Sequence, residues 1–204
     1  MIADDTHYRD GLIRTRDPVG HPCRPATGCD LRTGLLASLD ECITALIESI
    51  HDLTDDHLRA FPIEARNCIA WIAVECIMNL DRHANSFQTG ERVIPDTAQW
   101  KIWWNLFRHE RSRQPDSAAD FPPVEEIVEQ LNAVADAAWK GLLEATPEDL
   151  AGNRHAAPEW APRTAGDAYF RTIAHTNSHV RQIWLLRGAL GLTNSHAWPR
   201  QHWH

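Results

Sequence analysis

Long apolar runs are missing from this chain, and so is any surplus of positive charge. No stretch of its 204 residues approaches the roughly 18 consecutive apolar residues that read as a membrane-spanning helix. The opening "MIADDTHYRDGLIRTRDPVG" is of mixed charge, with no apolar segment after a basic one, so no signal peptide is expected there. Twenty Lys and Arg stand against 28 Asp and Glu, a formal net charge of −8, which argues against a broad basic surface for nucleic acid. The five cysteines (Cys23, Cys29, Cys42, Cys68, Cys76) are odd in number and lack the paired CxxC spacing of a zinc ribbon. These absences predict a reduced, cytoplasmic protein that binds neither membrane nor nucleic acid. Strand-type alternation and internal repeats are absent too. No Ser–His–Asp set or Cys–His pair can be assigned, so covalent catalysis by a side chain is not expected.

Hydrophobic residues make up 43% of the chain and charged residues 24%, which places it among globular domains rather than disordered chains. Residues 1–30 are rich in Pro, Gly and charge and read as an irregular lead-in. A first amphipathic helix begins near Asp30 or Thr33, with Leu35, Leu36, Leu39, Ile43, Leu46, Ile47 and Ile50 at three- and four-residue spacings. "TDDHLRAFPIEAR" breaks it, since Pro62 rules out continuation. A second helix runs from about Asn67 to Gln88 and ends at Thr89–Gly90; its first half is apolar nearly all round, as a central helix should be. A long connection holding Trp100, Trp103, Trp104 and Phe107 follows, with room for a short helix of its own. The third helix follows Pro123, with Val124, Ile127, Val128, Leu131, Val134, Ala135, Ala138 and Leu142 on one stripe. "TPEDLAGNRHAAPEWAPR" reads as a loop, and a fourth helix opens at Thr164, with Asp167 three residues on, and runs to about Leu190. The expectation is an all-α four-helix bundle over residues 31–191, with a long crossover between its second and third helices and a tail at 192–204.

Twelve histidines are present, and two of them, His175 and His179, sit four apart in "AHTNSHVRQIWLLRGALG". Residues at this spacing share a helix face, about 6 Å apart along the axis. At about 100° per residue they join a stripe with Ala168, Thr172, Gln182, Leu186 and Leu190, while Arg171, Ser178 and Arg181 mark the exposed side. Two inward imidazoles need partners, and one divalent metal satisfies both; His-x-x-x-His is the ligand spacing a helix allows. The competing reading is chance in a histidine-rich chain. A helical zincin is excluded, because Thr176 stands where HExxH has its Glu.

On "TAGDAYFRTIAHTNSHVRQIWLLRGALG", and more weakly on "IAWIAVECIMNLDRHAN", the chain resembles the DinB-like superfamily (also called DinB/YfiT-like), four-helix proteins that often carry a metal site in the bundle. In that family the last helix shows H-x-x-x-H followed by a Gln and "LLR", and the resemblance covers roughly residues 31–191. It implies that His175 and His179 are metal ligands. Such families commonly place a third ligand, a His, in the second helix, four residues after a Trp or similar apolar residue. Counting from Trp71, that position is Glu75, a departure from the pattern.

A carboxylate with two imidazoles is a sound divalent site, suited to zinc or, as a facial triad, to Fe(II). Glu75 shares a stripe with Cys68, Trp71, Ile72 and Asn79; a pairing with Arg82 is the alternative, and His83 and Cys76 are the backup ligands. Gln182, one turn beyond His179, is the candidate catalytic residue, holding a metal-bound water or a ligand in place. Arg187 is expected to complement the helix end and pair with an acid. The Trp residues of the connections, with Trp160, are expected to line a cleft, seal the bundle or form a dimer interface.

The expected function is therefore that of a metal-dependent enzyme using Zn, Ni or Fe. The resemblance implies two reaction classes: S-transfer or isomerisation with a low-molecular-weight thiol, or hydrolysis of a small molecule. The alternative is a non-enzymatic, metal-binding or stress-related bundle. A homodimer is expected in either case.

Overall fold

A computed structural model describes residues 30–63, 67–94, 121–152 and 163–192 of the chain. Asp30 begins the first helix, α1 (Leu31–Glu48), by accepting the Thr33 backbone N–H at 2.8 Å, which satisfies one of the donors every helix start leaves open. Thr54 does the same for a short helix, α2 (Asp55–Arg59), with the His57 side chain returning the favour to the Thr54 amide. The second long helical stretch is α3 (Ile69–Leu80), a π-helical segment (Asp81–Ser86) and a last turn, α4 (Phe87–Thr89). It ends at Gly90, whose φ of 85° is the left-handed conformation glycine adopts without strain. Then come α5 (Val124–Glu144), a short α6 (Pro147–Ala151) capped by Thr146, and α7 (Ala165–Ala189), capped by Thr164 through the Asp167 N–H at 3.1 Å. No strand occurs among the described residues, and none of their helices is long and apolar enough to cross a membrane.

The fold is all-α among the described residues, as expected. The two short helices are a difference. Both lie in stretches read as loops, and both are five-residue turns held by reciprocal capping around a Thr rather than by an apolar stripe. The lead-in, the tail and the Trp-rich connection, with Trp100, Trp103, Trp104, Phe107 and Trp160, lie outside the described residues, as do Cys23 and Cys29.

α1 and α3 each pack against both α5 and α7, so the long helices enclose a shared core. Ten of the twelve residues of α3 are buried, and the two that are not are Glu75 and Asn79. At four-residue spacing these two form a narrow polar edge on a helix otherwise sunk in hydrocarbon. α7 buries Thr172, Ile173, Thr176, Val180 and Ile183, and Thr172 among them reaches the Asn79 amide of that edge.

The far end of α7 is fastened by Arg187, only 1% exposed. Its guanidinium grips the Asp52 carboxylate through two hydrogen bonds of 2.7 and 2.8 Å and donates to the Ser49 carbonyl at 3.1 Å. This ties α7 to the turn after α1 and is the acid pairing expected of Arg187. Arg187 holds the Asp52 carboxyl below its ordinary pKa of 3.8, its hydrogen bonds outweighing the opposing effect of burial. Because the folded value is the depressed one, the contribution to stability is full above the unfolded-state pKa and is lost as pH falls through the folded value. Replacing Asp52 by Ala leaves a buried cation unpaired and should cost about 2–3 kcal/mol in urea unfolding at pH 7. That loss should shrink below about pH 4; a variant as stable as the parent at pH 7 excludes the tie.

Candidate metal centre

Glu75 is only partly buried on a helix that is otherwise sunk in the core, and its carboxylate faces α7. Opposite stand His175 and His179, placed on one face of α7 by their spacing. His175 Nε2 lies 3.7 Å from Glu75 Oε1, and His179 Nε2 lies 3.3 Å from Glu75 Oε2. The two Nε2 atoms are 3.2 Å apart, with the rings edge-on at 67°. Ligand atoms from all three side chains fall within 4.8 Å of one another, and no other group of three or more His, Cys, Asp or Glu residues among those described does so. The three side chains are 13–25% exposed, so the cluster is sheltered yet reachable by a small molecule.

The Gln182 amide lies 3.0 Å from His179 Nδ1; with its oxygen on that side it accepts, which places the proton of a neutral His179 on Nδ1 and leaves Nε2 free. The Nε2 lone pair then points at Glu75 and His175. Burial, and after it the neighbouring His175, hold the His179 pKa below its ordinary 6.5, against the opposing pull of Glu75 and Gln182. Neutral imidazole is the form that ligates a metal.

In that tautomer the lone pairs of His179 Nε2 and Glu75 Oε2 face each other at 3.3 Å, and His175 is the donor in the 3.2 Å contact between the two Nε2 atoms. Glu75 Oε2 is buried and makes no hydrogen bond within the described structure, and His175 Nδ1 is likewise buried without one. Such a confrontation of acceptors is relieved by a proton or by a metal cation between them. The donor set of one carboxylate and two imidazoles fits a divalent metal.

Of the other candidates, His83 is 1% exposed on the π-helical segment and does not join the cluster. Cys76 is buried too, and its thiol pKa is driven well above the ordinary value by burial and then by the charges of Glu75 and Cys42, which favours an inert core thiol. Gln182 is exposed and contacts His179.

Two features of the site escape the sequence reading. Thr172 donates its hydroxyl to Asn79 Oδ1 at 3.4 Å, tying α7 to α3 one turn from the cluster. Tyr169, one turn further, donates to the carbonyls of Ala138 (3.1 Å) and Ala84 (3.4 Å), joining α7 to α5 and to the π-helical segment. Asn79 and Thr172 did lie on the ligand stripes of their helices, a signal that periodicity offers; Tyr169's carbonyl partners carry no sequence signal at all.

A family model described as the DinB superfamily matches residues 38–183. That span contains all three side chains of the cluster. No match was found among curated proteins.

The tautomer is directly testable. Long-range ¹H–¹⁵N spectra of metal-free protein at pH 7.5 should show His179 protonated at Nδ1 and bare at Nε2, and Gln182→Leu should abolish that preference. Protonation at Nε2 in the parent protein contradicts the assignment.

Proposed function

The chain belongs to the DinB superfamily, and we propose that Glu75, His175 and His179 hold a divalent metal ion, Zn, Ni or Fe, at which a small molecule is transformed. The observation that carries the proposal is the meeting of Glu75, one of the two unburied residues of α3, with the paired imidazoles of α7. Three protein ligands leave a coordination position open, the arrangement of catalytic rather than structural sites. A divalent ion held there supplies Lewis-acid polarisation and lowers the pKa of a small thiol or of water. The reactions this suits are S-transfer or isomerisation with a low-molecular-weight thiol, and hydrolysis.

The protein's own groups have divided roles. His175 and His179 offer neutral Nε2 donors, and Glu75 supplies the charge that balances the ion. Gln182 holds the Nδ1 proton of His179, which fixes the ring and raises its basicity as a ligand. That contact makes it a positioning residue rather than a group that meets the reacting atoms. The apolar packing of α3 around Glu75 limits water at the site and strengthens each electrostatic contact in it.

Elemental analysis of full-length protein made without an affinity tag, with Glu75→Ala, His175→Ala and His179→Ala in parallel, tests the site. Near-stoichiometric Zn, Ni or Fe in the parent, and loss of most of it in all three folded variants, is the expected result. A parent protein that carries no metal and takes up none on dialysis against these ions ends the proposal. Metal held without turnover in a screen of thiol-plus-electrophile and hydrolytic substrates would favour the binding bundle over the enzyme.

A further inference from the structure

We draw no further inference here: the strongest candidate, the fully buried and unbonded Thr176 hydroxyl on α7 between His175 and His179, belongs to the site already described, and no contact among the described residues shows what it would hold.

Discussion

A carboxylate oxygen and an imidazole lone pair facing each other across 3.3 Å repel unless positive charge lies between them. On an exposed surface the two side chains would swing apart into water. Here they are held, because Glu75 sits on a helix whose neighbours Trp71, Ile72, Val74, Cys76 and Met78 are buried, and its carboxylate faces α7. His179 is held from the other side by Gln182, which forces the lone pair inward. The result is a set of donors whose arrangement fits a cation, and preorganisation of this kind is where metal affinity comes from.

That confrontation depends on the register of α3 against α7, and the register depends on polar ties rather than on apolar packing alone, which tolerates sliding. Thr172 to Asn79 is the nearest tie, and Tyr169 to the Ala84 and Ala138 carbonyls is the next. Below them the π-helical segment brings Asp81 and Asn85 inward. Asn85 donates to the Val134 carbonyl of α5 at 3.1 Å, and the Asp81 carboxylate accepts the backbone N–H groups of Val93 (2.9 Å) and Ile94 (3.4 Å). Burial pushes the Asp81 pKa up, and these donors pull it back. The extra residue of a π turn is what rotates this polar set into the core while α3 keeps its apolar face. Arg187 fixes the other end of α7 on Asp52 and Ser49. The pairing of α3 with α7 is thus pinned at both ends, so Glu75 meets both histidines rather than one.

The sequence carried the long helices well because each announces itself twice, by period and by punctuation. Asp30 and Thr164 cap where they were expected to, Gly90 and Gly191 take the positive φ values of 85° and 72°, and the α5 stripe from Ile127 to Leu142 is buried. The histidine pair was legible for the same reason, since four-residue spacing on a helix fixes a face. Glu75 was harder: counting from Trp71 located it, but only packing shows that its face turns towards α7. What the sequence hid was everything made by backbone acceptors or by pairs far apart in the chain. Asp52 and Arg187 are 135 residues apart, and nothing in either segment marks the other. The short helices α2 and α6 hid for a different cause, being too brief for a period to register; their Thr caps were the available signal.

Glu75 in place of the histidine that the family resemblance leads one to expect has an electrostatic consequence. Three neutral imidazoles around a divalent ion leave two net charges, whereas one carboxylate and two imidazoles leave one. On the proposed metal reading, the lower charge would weaken the pull on a thiol or water, whose pKa would fall less than in an all-histidine site. An all-histidine cluster can rest as neutral rings sharing hydrogen bonds, whereas Glu75 brings a carboxylate to a half-buried position beside two imidazoles. On the proposed metal reading, loss of metal should cost this protein more stability than it would cost an all-histidine relative, tying occupancy to folding through Glu75. Glu75→Gln separates the two effects. It removes the charge while keeping shape, so it should weaken metal binding yet leave the metal-free protein at least as stable as the parent, the opposite order to that of a residue held only for packing.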